Sequence, residues 1–475
     1  MTEPTLYGGW RRSHTMGIGA LNTPQTFIVV SAALVNPLGV ALGNLATLLL
    51  TLPITLTVIV LAVWQRHGMP LLSYVIGMAR WRLAHTRGET SYRGHFLPVP
   101  EALDLPGLAA PTMLVRAQIG ARSVGLVWNQ RTGHMTGTLL LQPAGALLAA
   151  GSVVDTAVTS WGKTLEAMAD EDPIAAASVT LQITPSSGHA VTQHVQGRRD
   201  ANAPELAKAT TDELVARAPR ASAQLAAWFS LVIDPNRAGE PATNPAESAA
   251  IALGVLDGID LGASGADVLR FATDSDIKRI VRGGYVPADM DAPADEIDGL
   301  LWHEVGPTYA EDGKEVYEHD GYYSLSYVLR AAPRHDVAYD VLLRLLSAGK
   351  FARRVTLAYR VLSTGESGAL VERELNASDA REETRRRTRR TTTRRERVDA
   401  KRADKTAEEE ALGAAMTQWS IYVTTTVTDP ADIPAARREV EKAAKLAGGM
   451  RFRPAYGAQS AALALGLPLG INPLL

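Results

Sequence analysis

The feature that most constrains this sequence is a run of 39 residues, 26–64, that contains no Asp, Glu, Lys, Arg or His. One membrane-spanning helix needs about 20 consecutive apolar residues. The run therefore predicts a transmembrane helical hairpin, with spans at 26–43 and 45–64 and a turn at Gly43-Asn44. A single long span with an interfacial helix is the alternative. A cleaved signal peptide is disfavoured, because its apolar stretch is only about 7–15 residues long.

The residues that flank the run predict its orientation. Arg11 and Arg12 precede it, Trp64 and Arg66 stand at its end, and the turn between the spans is uncharged. Positively charged flanks stay on the cytoplasmic side of a membrane. The prediction is a protein of the bacterial inner membrane with both termini in the cytoplasm.

Composition predicts a large globular part beside the hairpin. Charged residues make up 21% of the chain and hydrophobic ones 46%, an ordinary globular balance. The net charge is −2, so any attraction to nucleic acid or lipid has to come from a local patch. The absence of cysteine excludes disulfides, thiolate zinc sites and thiol nucleophiles.

The pattern along the chain predicts five segments. They are a cytoplasmic tail (1–25), the hairpin (26–64), a juxtamembrane connector (65–110), a first α+β domain (111–285) and a second domain (286–475) that contains a charged helical arm at 365–416.

Hydrophobic periodicity predicts the elements of the two domains. Strands are expected at 124–128, 135–141, 178–183, 226–233, 322–330, 353–362, 419–428 and 450–454. Helices are expected at 152–169, 203–216, 244–258, 266–282, 336–347 and 430–446. Without the arm, the second domain reads β-α-β twice, which is the ferredoxin-like arrangement. The predicted fold class is therefore a membrane-anchored α+β protein, in which the hairpin precedes ferredoxin-like α/β sandwich units with a long charged helical insertion.

The arm has a strongly basic centre. Its arginines are Arg385, Arg386, Arg387, Arg389, Arg390, Arg394 and Arg395. No apolar stripe runs through 378–397, so this part cannot be buried against its own core. Three interpretations stay open: a solvated arm with i,i+4 charge pairs, a docking arm for a partner subunit, and a contact with nucleic acid or anionic lipid. We assign the seven arginines as candidate partner-binding residues.

Motifs for phosphate or metal binding are weak. Gly162-Lys163-Thr164 resembles part of a phosphate-binding loop, but Ala157 stands where that pattern needs glycine, and the triplet lies in an amphipathic helix. His189 and His194 are five residues apart in a segment without clear helical pattern, which is not a convincing ligand spacing.

Motifs for catalysis are equally weak. Trp302-His303-Glu304 and His319-Asp320 are polar groups for which a surface or capping role is expected. Asp257 and Asp260 suit a helix end better than the metal site of a nucleotide-sugar enzyme. We therefore assign no catalytic, cofactor-binding or metal-binding residue, expect no cofactor, and do not predict an enzyme.

Several short stretches together resemble a known family. They are Tyr7-Gly-Gly-Trp10-Arg11-Arg12, Trp302-His303, Ala332-Pro333-Arg334, Arg353-Arg354-Val355, the stretch 451–459 and Leu467-Pro468-Leu469-Gly470. In this order they resemble the actinobacterial integral-membrane proteins encoded with conjugative type IV secretion-like systems. More distantly, the layout is similar to a two-helix inner-membrane subunit fused to the N-terminal, non-ATPase domain of the conjugation ATPase.

The resemblance implies a structural role. We expect a structural inner-membrane subunit that seats a separately encoded ATPase, with other channel subunits as partners and self-association possible. The alternatives are a type VII secretion membrane subunit, a membrane-bound nucleotide-sugar transferase using Asp257 and Asp260, and a membrane-tethered DNA-binding protein using the arginine cluster.

Overall fold

The computed structural model describes residues 7, 45–66, 69–94, 104–143, 150–185, 197–200, 202–217, 223–239, 244–362 and 417–475, apart from 263, 293 and 334, together with residues 27, 29–31, 34, 195 and 366. The contacts within the chain group its residues into two compact units. The larger, which we call the sheet unit, comprises Met1–Gly8, Glu89–Ser363 and Thr417–Leu475. The smaller unit comprises Gly9–Gly88 and Thr364–Met416. The predicted domain boundaries near residues 110 and 285 do not coincide with the limits of these two units. They stay predictions.

In the smaller unit, the described stretch 45–86 forms two helices joined by a short hairpin. Helix α1 (Leu45–Val63) is followed by the strands β1 (Gln65–Arg66) and β2 (Met69–Pro70), which pair antiparallel. Helix α2 (Leu71–Thr86) begins directly after β2.

The predicted membrane anchor is wrong. Helix α1 coincides with the second predicted span, yet no helix among the described residues has both the length and the apolar character to cross a membrane. A span needs about 20 consecutive apolar residues. Helix α1 has 19 residues, with Pro53 and four threonines among them. Most of the first predicted span lies outside the described residues. The predicted location in the inner membrane, with both termini cytoplasmic, is therefore also wrong.

The strands of the sheet unit form one 13-stranded antiparallel sheet. They are β3 (Ser91–Arg93), β4 (Thr112–Ile119), β5 (Arg122–Asn129), β6 (Met135–Pro143), β7 (Ile174–Pro185), β8 (Ala223–Ile233), β9 (Ala266–Phe271), β10 (Tyr309–Asp312), β11 (Tyr317–His319), β12 (Tyr322–Ala331), β13 (Ala352–Val361), β14 (Thr417–Val427) and β15 (Arg451–Pro454). Their order is β3-β10-β11-β12-β14-β13-β7-β8-β6-β5-β4, with β15 beside β12 and β9 beside β6.

The predicted pair of ferredoxin-like sandwich units is wrong, because strands from both predicted domains join in this single sheet. The join is made by β7 and β13, which pair antiparallel from Ala177 and Tyr359 to Ile183 and Arg353. Hydrophobic periodicity locates strands along the chain. It carries no information on which strands pair across such a distance in sequence.

The strand order is mirrored about the β7–β13 pair. On one side β8, β6, β5 and β4 follow β7, and on the other side β14, β12, β11 and β10 follow β13. Strands β9 and β15 occupy matching places beside β6 and β12, and both ladders contain a register shift. The sheet therefore has two halves with the same order, and β7 and β13 join them edge to edge.

The described helices of the sheet unit include α3 (Gly151–Asp170), α4 (Glu205–Arg217), α5 (Pro245–Gly258), α6 (Asp274–Tyr285), α7 (Ala294–Asp298), α8 (Trp302–Val305), α9 (Ile433–Leu446) and α10 (Gln459–Leu465). Several of them cover the two faces of the sheet. Short 3₁₀ turns lie at Gly107–Ala109, Pro235–Arg237, Pro287–Asp291, Tyr339–Leu342 and Pro430–Asp432. Local sequence fixes helix starts: Asn244 accepts a hydrogen bond from the Glu247 N–H before α5, and Thr273 and Asp276 form a capping box at α6.

The two faces of the sheet differ in polarity. One face is apolar and packs against α3, α5 and α9, with Leu139, Phe229, Val355 and Val423 among its buried residues. Side chains alternate between faces along a strand. The neighbouring residues in the same strands therefore point to the opposite face, which is covered in part by α6 and α10 and carries many polar side chains.

Most predicted elements are confirmed, with two exceptions. The predicted helix at 266–282 is wrong in its first part, because Ala266–Phe271 is strand β9 and α6 begins only at Asp274. The predicted helix at 336–347 is reduced to the 3₁₀ turn Tyr339–Leu342. Apart from residue 366, the predicted arm lies outside the described residues.

Candidate functional site

The residues predicted to bind partners lie outside the described part of the chain. These are Arg385, Arg386, Arg387, Arg389, Arg390, Arg394 and Arg395, and the same holds for Arg11 and Arg12. Trp64 follows α1 with 66% of its surface exposed, and Arg66 lies in β1. The structure therefore leaves the partner-binding assignment as a prediction.

Gly162-Lys163-Thr164 lies in the middle of α3, as expected for a helical segment. The Thr164 hydroxyl is 3.1 Å from the carbonyl oxygen of Ser160 and 3.3 Å from that of Asp260. A phosphate-binding loop needs free backbone N–H groups at the start of a helix. In α3 those groups are used by the helix itself.

A surface or capping role is predicted for Trp302 and Glu304; Glu304 caps the backbone before α8, whereas Trp302 bonds to a distant part of the chain. The Trp302 indole N–H donates to the Thr112 carbonyl oxygen at 2.8 Å, and the Glu304 carboxylate accepts the Leu301 N–H at 2.7 Å. Asp320 also accepts backbone N–H groups, including that of Tyr309 at 3.0 Å.

The acidic residues considered for a metal site lie at a helix end. Asp257 is in the last turn of α5, and the Asp260 carboxylate accepts the Gly262 N–H at 2.8 Å. The described residues include no group of three or more His, Cys, Asp or Glu placed to hold a metal ion. His189 and His194 lie outside them.

The most unusual feature of the sheet unit is a row of buried polar pairs, which we call the polar seam. Its members face each other directly across neighbouring strands. The pairs and their oxygen–oxygen distances are Thr138–Ser230 (3.0 Å), Thr180–Thr356 (3.0 Å), Ser326–Thr424 (2.9 Å) and Ser324–Thr426 (2.8 Å), and Gln182–Arg354 completes the seam.

Two adjacent arginines of β13 point to opposite faces of the sheet. On the apolar face, Arg353 pairs with Glu439 of α9 and donates to the Leu345 carbonyl oxygen at 3.1 Å. On the seam face, Arg354 donates from Nε and Nη2 to the Gln182 side-chain oxygen at 3.1 and 2.9 Å. Only 6% of Arg354 is exposed. Both charges are therefore buried, but only Arg353 has a carboxylate partner among the described residues.

The segments that follow β9 and β15 cover Arg354. A side chain added at Gly466 would meet the Arg354 Cδ at 2.6 Å, and one added at Gly284 would meet its Nη2 at 3.0 Å. Gly284 lies at the end of α6, where the helix dipole presents partial negative charge. Glycine at these two positions permits the close approach of backbone to the guanidinium.

A buried histidine connects to the same region. His319 is fully buried, and its Nε2 lies 2.8 Å from the Ser324 hydroxyl, which in turn lies 2.8 Å from that of Thr426. Burial, with the charge of Arg354 adding to it, lowers the pKa of His319 to about 3. His319 is thus neutral at physiological pH, and the predicted surface or capping role is wrong for it.

The sequence contains a signal for this site that the sequence analysis did not use. Arg353-Arg354 lies at the start of a largely apolar strand pattern. Alternation places one arginine on each face of such a strand, so at least one of them is buried where either face packs on a core. In β13 both faces are covered at this point, and both guanidinium groups are buried.

Comparison with models of known protein families gives no match for this sequence. Comparison with curated protein sequences gives no significant match either.

Proposed function

We propose that this chain is a structural subunit of a type IV secretion-like conjugation complex and that it seats a separately encoded ATPase. The sheet unit is a fixed frame in this proposal, and the arm at 365–416 contacts the ATPase or a neighbouring channel subunit. In this role the protein carries out no reaction; it positions the ATPase within the complex.

The observation that supports this proposal is that β13 and β14 are paired up to the residues that flank the predicted arm. The two strands pair without a register shift from Ala352 and Thr426 to Val361 and Thr417, the last residues before and after the insertion. The intervening chain therefore leaves and re-enters the sheet at one point, between two central strands. Fixing both ends of a long insertion adds little entropy cost for each further residue, so a frame of this kind suits a long contact arm.

The closing residues that carry the family resemblance are built into the same frame. The Gln459 side chain accepts the Ser326 N–H at 2.7 Å and donates to the carbonyl oxygens of Ser326 and Ala455 at 3.3 and 3.0 Å. Leu467 and Leu469 are buried against the core beside α6. These residues therefore stabilise the fold, which supports a structural subunit whose family-like motifs maintain the fold and carry no catalytic group.

Charge reversal in the arm tests the proposal. The test variant carries Glu at Arg385, Arg386, Arg387, Arg389 and Arg390 in the tagged full-length chain. The control carries Arg199→Glu and Arg217→Glu, in and beside α4 of the other insertion, between β7 and β8. Each protein is purified by its tag from cells of the native host, and co-purifying proteins are quantified by mass spectrometry.

We expect the wild type and the control to recover a conjugation-type ATPase, and the arm variant to lose it. Thermal unfolding shows that each variant is folded. Equal recovery of the ATPase with the arm variant would contradict the role of the arm, and recovery of no ATPase with the wild type would contradict the proposed function as a whole.

A further inference from the structure

The guanidinium of Arg354 is buried without an anionic partner among the described residues. Its hydrogen bonds go to the neutral Gln182 amide, and its Nη1 has no hydrogen-bond partner. Burying a cation is costly unless it is paired and fully hydrogen-bonded. The site therefore lacks one acceptor and one negative charge.

The titratable side chains nearest to Arg354 do not supply that charge. Burial raises the pKa of Tyr285 well above the ordinary phenol value, so Tyr285 is neutral. His319 is neutral as well and has no negative form to offer. Burial lowers the pKa of Arg354 itself to about 10, which keeps it a cation at neutral pH.

A small cavity lies beside this guanidinium. Its lining residues are Gln182, Gly283, Pro287, Ala352, Arg353, Arg354, Thr424 and Thr426. Its volume is about 10 Å³, which is room for about one water-sized species. A monatomic anion has a single heavy atom, as water does, and suits this space better than a carboxylate or phosphate group, which has several.

The cavity also offers hydroxyl donors. Thr424 and Thr426 line it, and each hydroxyl shares one hydrogen bond with a serine of β12, at 2.9 and 2.8 Å. A hydroxyl has one donor and two acceptor positions. The pairs can therefore orient one hydrogen towards the cavity while the serine donates to the threonine.

We propose that this cavity binds a chloride-sized monatomic anion, held by Arg354 Nη1 and the hydroxyl of Thr424 or Thr426. The bound anion neutralises the buried charge at the centre of the sheet. Because it binds the folded chain and not the unfolded one, it stabilises the fold by an amount that grows with the logarithm of its concentration once the site is largely occupied.

Thermal unfolding in two sodium salts tests the site. The full-length protein is melted in rising sodium chloride and, at matched ionic strength, in sodium gluconate, whose anion is too large for the cavity. The variants are Arg354→Met, which removes the cation, and Thr426→Val, which keeps Arg354. The control is Arg116→Met, which removes an exposed arginine paired with Asp274 at the sheet edge.

We expect the unfolding temperature of the wild type and of Arg116→Met to rise with chloride beyond its rise with gluconate. The excess should vanish in Arg354→Met, and chloride affinity should fall about tenfold in Thr426→Val if that hydroxyl is the donor, as for loss of one hydrogen bond to a charged group. Equal curves in the two salts for the wild type would overturn the proposal, as would a full chloride response in Arg354→Met.

If Arg354→Met or Thr426→Val fails to fold, a measurement on the wild-type protein tests the anion site instead. A wild-type crystal soaked in bromide should show an anomalous peak within hydrogen-bond distance of Arg354 Nη1. A well-ordered structure without that peak would overturn the proposal.

Discussion

The hydroxyl oxygens of Thr180 and Thr356 lie 3.0 Å apart and form a buried hydrogen bond between β7 and β13. The two residues face each other directly in the register, and each belongs to a different half of the mirrored sheet. Their separation in the chain is 176 residues. A polar side-chain contact thus lies at the join of the two halves, in the middle of the polar seam.

The Thr180–Thr356 bond should show coupling in a double-mutant cycle. Thr180→Val alone leaves the Thr356 hydroxyl buried without its partner, so we expect a loss of about 1–3 kcal/mol in the free energy of unfolding. The double variant Thr180→Val/Thr356→Val should lose less than the sum of the two single losses. Denaturant unfolding measures all four proteins. Additive losses would mean that the two hydroxyls do not interact.

Gly466 should not tolerate a side chain. An added Cβ would lie 2.6 Å from the Arg354 Cδ and 3.1 Å from the Thr356 hydroxyl oxygen, both deeply buried. We expect Gly466→Ala to destabilise the protein by about 1–3 kcal/mol, as overpacking does. Gly162→Ala is the control, because nothing lies within 4 Å of its added Cβ in α3. It should stabilise by up to about 1 kcal/mol, and the reverse order of the two variants would contradict the packing described.

Asp276 should make stability depend on pH in the acid range. Burial acts to raise the pKa of its carboxyl, but the hydrogen bonds from Arg270 and Thr273 outweigh it, so the pKa is lowered from 3.8. The stabilisation is therefore present above pH 3.8 and is lost as the pH falls through the lower, folded value.

Asp276→Asn should remove this acid-dependent part of the unfolding free energy. Asp257→Asn, an exposed carboxylate at the end of α5, is the matched control. Urea unfolding from pH 2 to pH 6 compares the variants. An unchanged pH slope in Asp276→Asn would count against the capping box.

His319 should lose stability in the same direction of pH as Asp276, although its deprotonated form is the neutral one. Its pKa falls from 6.5 to about 3, so the unfolded chain binds the proton more readily. Stability from this group is complete above pH 6.5 and is lost as the pH falls towards 3.

His319→Gln should reduce the slope of the unfolding free energy against pH, between pH 3 and pH 6.5, by the equivalent of up to one bound proton. The exposed His335→Gln is the matched control for replacing a histidine. NMR titration of the wild type gives the same quantity directly. A His319 that titrates near 6.5 in the folded protein would show that the side chain is not buried.

Local elements could be predicted from the sequence where the pattern is strong. The predicted bounds of strands β13 and β14 and helix α9 agree with the structure to within three residues, a usual margin for predicted element ends. For Ala266–Phe271 the sequence predicts a helix instead of the observed strand, because a short apolar segment fits either period and α6 follows it after only two residues.

The arrangement of the elements could not be predicted in the same way. The pairing of β7 with β13 depends on complementary edges far apart in the chain, which periodicity does not report. The polar seam could not be predicted for a related reason. Threonine or serine in a strand suggests a face exposed to solvent, and the sequence does not show which segments pack over that face. Here Gly466 and the residues after it supply that cover.

The central claim is that the two halves of the chain form one sheet through β7 and β13, and a disulfide cross-link tests it most directly. Ser178 and Ala358 face each other across this join, and the natural chain has no cysteine to interfere. Opposite residues in antiparallel strands lie within disulfide range. The control is Ser178→Cys with Leu357→Cys, which points to the other face.

We expect oxidised Ser178→Cys/Ala358→Cys to form an intramolecular disulfide in the native protein, identified by mass spectrometry of the linked peptides, and the control to form little. Absence of the cross-link in a folded protein, or equal cross-linking in the control, would contradict a single continuous sheet and the frame that the proposed function requires.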